Sequence, residues 1–434
     1  MTVEIELKFI ATPEAAAHLP GALGAWPHQH TPARLLSNTY YETAENTLRG
    51  YDMGLRIRGE DGRYEMTLKT KGQTVGGLHQ RPEYNVPLAG PALDISLFPS
   101  GVWPAGCNTA ELQQALRPLF STHFQREKWV VTYRQSQIEV ALDQGEVKAG
   151  ELAEPLCEIE LELKQGERDD LLAFAGVLSE DGGLRLGSLS KAARGYYLAQ
   201  GRPAQAVRPV PVLRMAGKPS VEQGMQAAFM LGLNHWQYHE ELWLRGESKA
   251  RAAVGEAIAL LRQVFTLFGG LVPRKASTDL RAGLTLLEER LAADDADART
   301  LCFSAAYLQT QLALTRWLVL EEWRAFVDDK AQSKLSGSFK RFADIMLGRT
   351  GAELKEMFSH IHQGSEYQDK LTRLCHLLLT LHLLAGAYSG EGPQHYIGSW
   401  RDLAQAIADP EHASPESASH RALAQPAFWL NGSH

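Results

Sequence analysis

Cysteine is sparse and scattered in this sequence. Cys107, Cys157, Cys302 and Cys375 stand far apart. No pair has the spacing of a zinc site or a redox motif, so free thiols in a reducing compartment are expected. Long apolar runs are missing too. No stretch reaches the ~20 residues a bilayer-spanning helix needs, and the N-terminus has neither a basic nor an apolar leader segment. The expected location is the cytoplasm, with no membrane partner. A positive excess is also lacking: 44 Lys+Arg against 51 Asp+Glu leave a net charge of −7, so nucleic acid is not an expected partner. His235 and His239 stand at helical metal-ligand spacing, but no Glu follows His235, and ordinary helix-face histidines are expected. Gly76-Gly77 opens no helix and reads as a turn between strands, not a phosphate loop.

The first two hundred residues instead carry charged side chains in strict alternation with apolar ones. Glu4-Ile5-Glu6-Leu7-Lys8-Phe9 has the period of a β-strand with one ionised and one apolar face. The pattern returns at Leu55–Arg58, Glu65–Lys71, Gln80–Tyr84, Arg126–Val131, Ile138–Asp143 and Cys157–Leu163, and a further strand is expected at Asn38–Glu42. Ser, Asn and Gln are nearly absent from the polar faces. About eight such strands suit a closed antiparallel sheet with a narrow interior.

Short helices are expected at Thr12–Pro13 onward, Thr109–Arg117, Glu167–Ser179 and Ser190–Ala199. Gly201–Pro219 holds four prolines and reads as an extended linker. Long Leu- and Ala-rich helical segments follow, over Val221–Arg245, Lys249–Phe268, Ala276–Leu291, Ala298–Phe326, Gly351–Ile361 and Glu366–Tyr388. The expected fold is α+β: an eight-stranded antiparallel β tunnel, a closed barrel, over residues 1–200, a linker over 201–219, and an all-α helical-bundle domain over 220–434.

If the charged faces turn inward, Glu4, Glu6, Glu65, Glu83, Glu139, Asp143, Glu158, Glu160 and Glu162 share a lumen with Lys8, Arg56, Arg58, Lys69, Lys71, Arg81, Arg126 and Lys128. So many charges cannot share a dry cavity, because desolvating even one is costly. Carboxylate clusters suit hard divalent cations, and Arg and Lys clusters suit phosphate oxygens. A cation bridging to a polyanion is the arrangement phosphoanhydride chemistry needs.

Glu4-x-Glu6-x-Lys8 resembles the ExExK signature of the CYTH family, the triphosphate tunnel metalloenzymes. Leu55–Arg58, Thr67–Gly72, Glu158-x-Glu160-x-Glu162 and Ser190-Lys191 agree with it in order, and the helical remainder resembles a CHAD domain. The resemblance implies metal-dependent hydrolysis of inorganic triphosphate to diphosphate and phosphate, with Mg²⁺ or Mn²⁺ as cofactor. The same family includes thiamine triphosphatases and adenylate cyclases, and a non-catalytic polyphosphate-binding module is the alternative of another class. Carried over, Glu4, Glu6, Glu160 and Glu162 would hold metal. Glu139, Asp143 and Glu158 would complete a second metal or orient the attacking water. Lys8, Arg56, Arg58, Lys69, Lys71, Arg81, Arg126 and Lys128 would grip phosphates, with Lys8 also counted among the catalytic groups, and Lys191 would close one end. A polyphosphate partner at the helical domain is the family expectation, weakened here because Glu256 interrupts the basic residues Lys249, Arg251 and Arg262.

Overall fold

A computed structural model describes residues 1–430; the last four residues of the expected helical domain lie outside the described residues. The chain forms two compact units. The first comprises Met1–Ala206 together with Arg299–Leu320, and the second comprises Val207–Ala298 and the chain from Glu321 onward.

Ten strands form the first unit's sheet: β1 (Thr2–Ala11), β2 (His28–Glu42), β3 (Gly54–Glu60), β4 (Arg63–Lys69), β5 (Gln73–Val75), β6 (Leu78–Leu88), β7 (Arg117–Tyr133), β8 (Ser136–Ala149), β9 (Leu152–Gln165) and β10 (Leu184–Leu186). The order β1-β9-β8-β7-β2-β3-β4-β6 closes because β6 pairs back onto β1, giving the expected eight-stranded antiparallel barrel. The short β5 and β10 are added outside that ring, paired to β6 and β1. Gly76-Gly77 turns β5 into β6, with Gly76 at φ +61°.

Alternation assigns the two faces of the wall. Leu7, Phe9, Val131, Ile138, Val140, Ile159 and Leu161 join one buried cluster with Leu19 and Leu23 of helix Pro13–Leu23 and with Leu171 and Phe174 of helix Arg168–Leu178. Each such side chain contributes roughly 1.5–3 kcal/mol by leaving water, so the outer face is a core and not a solvated surface. Thr12 caps the first of these helices, its hydroxyl accepting from the Ala15 N–H at 3.2 Å.

The inner face changes character along its length. On β7, Phe124 and Phe120 share the side of Arg126, and they are buried with Leu36, Val147 and Leu156. Tyr196 and Leu198 of helix Lys191–Ala199 fill this apolar region. The helix approaches closely because residue 195 is glycine: a Cβ there would stand 2.0 Å from the Phe120 ring.

One segment of the first unit comes from far along the chain. The single helix expected over Ala298–Phe326 is broken into Ala298–Cys302, Ala305–Val319 and a 3₁₀ turn at Glu322–Phe326. Ser304 caps the middle piece, and Glu321, at φ +50°, separates it from the 3₁₀ turn. Leu308 and Leu312 on that middle helix are members of the cluster that holds Leu7 and Phe9. Arg316 reaches Asp169 at 3.1 Å, and the Gly183 N–H donates to the Phe303 carbonyl at 2.8 Å. The linear division at residue 200 therefore differs from the compact units, because hydrophobic partners for the barrel wall are supplied by this distant helix.

The second unit is all-α. Its long helices are Val221–Leu244, Ala250–Leu267, Thr278–Ala292, Phe339–Ser359, Ser365–Leu384 and Gly392–Ala408. Ser220 and Gln223 form a capping box at the start of the first. Among the described residues no helix is long and apolar enough to cross a membrane.

Candidate active site

The barrel encloses a cavity of about 830 Å³ lined mainly by charged side chains. Strand register builds it. Lys8 stands opposite Glu160 and Glu6 opposite Glu162 across β1 and β9. Arg126 faces Asp143 across β7 and β8, and Lys69 faces Glu83 across β4 and β6. Residues two apart on each strand thus deliver successive charges to one interior.

At one end, opposite charges are matched. Lys191 reaches Asp143 at 2.8 Å and Glu160 at 2.6 Å, and it also pairs with Glu158. Arg126 grips both Asp143 oxygens at 2.7 Å and reaches Glu160 at 2.8 Å. Lys8 lies 3.3 Å from Glu158 and 3.7 Å from Glu160. Burial alone would raise the Glu160 carboxyl, but Lys191, Arg126 and Lys8 hold it well below its usual range. Asp143 behaves alike under Arg126 and Lys191. The three acids bring carboxylate oxygens within 4.8 Å of one another, and three cations already meet that cluster.

Elsewhere charge is left over. Glu6 is 8 % exposed and makes no side-chain hydrogen bond or ion pair among the described residues. Burial, then Glu160 and Glu4, push its carboxyl up to about 8. Glu162 is raised by burial and by Glu139 and Glu6, against the opposing pull of Lys164. Glu4 is raised chiefly by burial even though Lys69 bonds it at 2.5 Å. The opposite excess lies across the lumen. Arg58 is brought down to about 9 by burial and by the neighbouring guanidiniums of Arg56 and Arg126. Its Nε donates to the amide oxygen of Asn38 at 2.8 Å, and among the described residues no carboxylate lies within ion-pair distance of it. The buried Nε of Arg56 has no acceptor. One cavity thus combines carboxylates short of cations with guanidiniums short of anions.

Most residues expected from sequence meet in this cavity: Glu4, Glu6, Lys8, Arg56, Arg58, Lys69, Arg81, Arg126, Lys128, Glu139, Glu160, Glu162 and Lys191 all line it. Asp143 and Glu158 lie behind the lining, both 0 % exposed, held by Arg126, Lys8 and Lys191. Lys71 is brought in by nothing. β4 ends at Lys69, and Lys71 is exposed in the bend that follows. Arg81 lines the cavity while bonding the Thr70 carbonyl at 2.9 Å and Asp52 at 3.4 Å. Glu83 lines it as expected, whereas Glu65, near the start of β4, is exposed and does not. Tyr40, Thr67 and Asn85 also line it. Alternation within their strands could have found them, but none carries a charge to draw attention. Burial would raise the Tyr40 phenol, yet Arg56 beside it lowers it. His235 and His239 are buried in the second unit, where the His239 Nδ1–H donates to the His235 carbonyl at 2.8 Å.

Two family models match successive parts of the chain. Residues 2–196 match the CYTH domain model and residues 227–413 the CHAD domain model. The chain carries a CYTH domain followed by a CHAD domain. An inorganic triphosphatase of Haemophilus influenzae is 42 % identical over 199 residues, covering 46 % of this chain and 55 % of that protein. The match thus spans about half the length of that curated relative. Among solved structures, a Hippeastrum protein, a candidate adenylyl cyclase with a dominant triphosphatase activity, aligns with TM-score 0.34 at 22 % identity over 46 % of this chain and 97 % of its own. The CHAD domain of Ricinus communis aligns with TM-score 0.32 at 14 % identity, over 52 % and 91 % of the two chains.

The residues fit the divalent cation that the CYTH family implies. The donor set is all oxygen, as hard cations require, and Glu6 is a buried carboxylate on which Glu160 and Glu4 act more strongly than Lys69 and Lys8.

Proposed function

We propose that this protein hydrolyses inorganic triphosphate to diphosphate and phosphate in the barrel, with Mg²⁺ or Mn²⁺ held by Glu4, Glu6 and Glu162 beside Glu160. One observation carries the reading: anion-seeking Arg58 and cation-seeking Glu6 line the same cavity. A ligand satisfying both must be a polyanion that brings a cation with it. Arg56, Arg58 and Lys128 bind and orient the phosphates, and Lys69 reaches from Glu4 toward the same space. The ion pairs of Arg126, Lys8 and Lys191 keep the deep carboxylates in place and the wall rigid. The bound cation would neutralise charge developing on the phosphoryl oxygens. Phosphoanhydride cleavage then needs positioning and neutralisation, with little covalent help.

Inorganic triphosphate is the preferred substrate because Tyr40 is the one aromatic side chain of the lining among the described residues, and its ring is stacked on Phe120 at 4.6 Å. An organic triphosphate would want a free apolar face beside the phosphates. The four free cysteines support a reducing compartment, in keeping with a cytoplasmic enzyme. For the second unit we propose polyphosphate contact at Arg274 and Arg281, which lie together where the Arg281 guanidinium donates to the Arg274 carbonyl at 2.9 Å, whereas Arg262 is already paired with Glu288.

A substrate panel tests the assignment: phosphate release from inorganic triphosphate, ATP, thiamine triphosphate and long polyphosphate, with and without Mg²⁺. Release from triphosphate above the others, dependent on metal, is expected. Release mainly from ATP would overturn the substrate, and no release from any would favour a binding module.

A further inference from the structure

The barrel's arginines are held in two different ways. Arg126 is clamped by the two oxygens of Asp143 and by Glu160, so its charge is already consumed inside the protein. Arg58 is held by Asn38, whose Oδ1 accepts from its Nε at 2.8 Å. Asn38 is 0 % exposed. Its other end donates to the Thr122 hydroxyl at 3.0 Å. Register puts the three in one row: Asn38 stands opposite Arg58 on β3 and opposite Thr122 on β7. An amide in this place fixes the direction of the guanidinium without cancelling its charge. A carboxylate of the same shape would fix it equally well and neutralise it.

We propose that Asn38 is a positioning residue that aims Arg58 into the lumen with its charge uncompensated, and that the neutrality of Asn38 sets the affinity for the anionic substrate. This rests on the triphosphatase reading. The nearest alternative is that Asn38 merely ties three strands together. The two differ for Asn38→Asp. Aspartate has the same shape and can accept from the Arg58 Nε. The Thr122 hydroxyl can turn to donate to its second oxygen, so a structural role survives the change. The charge role does not.

The test uses the full chain, with steady-state kinetics on inorganic triphosphate and calorimetric titration of triphosphate in chelator. For Asn38→Asp we expect an unchanged or higher unfolding temperature, a KM raised about ten- to a hundredfold, the worth of a hydrogen bond to a charged group, and kcat nearly unchanged. Triphosphate affinity without metal should fall in the same proportion. For Asn38→Ala, which frees Arg58 to wander, we expect a raised KM as well. A folded Asn38→Asp with wild-type KM and wild-type triphosphate affinity would overturn the proposal. If Asn38→Asp does not fold, a wild-type KM in Asn38→Ala overturns it equally. Should the wild type bind triphosphate but not cleave it, the functional reading fails while the calorimetric comparison still decides the role of Asn38.

Discussion

Lys191, at the first turn of its helix, sits 2.6 Å from Glu160 on β9, and it also meets Asp143 and Glu158. Burial would lower its ammonium, but these three carboxylates outweigh that and raise it. Removing one partner from a buried charge cluster leaves the rest uncompensated. Lys191→Met should therefore destabilise the first unit by about 3–5 kcal/mol, read from its chemical unfolding transition. A change within error would mean that water, not Lys191, neutralises these acids.

Glu6 presents the reverse case. It is buried beside acidic neighbours and has no bonded partner, so Glu6→Gln relieves repulsion and should leave the unfolding temperature equal or higher. Turnover should fall about a hundredfold or more at limiting Mg²⁺, since several kcal/mol of charge stabilisation are at stake. Full turnover at limiting metal would remove Glu6 from the site.

Gly195 lets its helix seat on Phe120. Gly195→Ala forces a shift that costs about 1–3 kcal/mol by overpacking and displaces Lys191, with turnover reduced. Adding Phe120→Leu should restore part of both losses. No effect of Gly195→Ala alone on either would show that the helix is not seated this closely.

The distant helix Ala305–Val319 lends Leu308 and Leu312 to the barrel's outer core. Leu308→Ala should destabilise the first unit by about 2–5 kcal/mol. A fragment ending at residue 206 should unfold at lower temperature than the same unit in the full chain. Equal stability of fragment and full-chain unit would contradict the composite core.

The barrel was legible because β-strands report their faces with a period of two. Glu4, Glu6 and Lys8, and Glu158, Glu160 and Glu162, are charged where inward positions fall, and Leu7, Phe9, Ile159 and Leu161 are apolar where the outer core falls. Lys71 extends the same alternation on paper, but the strand ends at Lys69, and periodicity carries no signal of where hydrogen bonding stops. Charge alone also hid Asn38 and Tyr40, whose roles come from what stands opposite them in the ladder. The membership of Leu308 and Leu312 could not be read, because an apolar helix stripe does not say which surface covers it.

On the proposed function, one lumen takes a polyanion and a divalent cation together, each satisfying charge the other leaves. Calorimetric titration of a non-hydrolysable triphosphate analogue into the full chain, with and without Mg²⁺, tests this most directly. Mutual tightening is required by linkage, about tenfold or more in affinity, and it should vanish in Glu6→Gln. An analogue affinity the same with and without Mg²⁺ would contradict the claim.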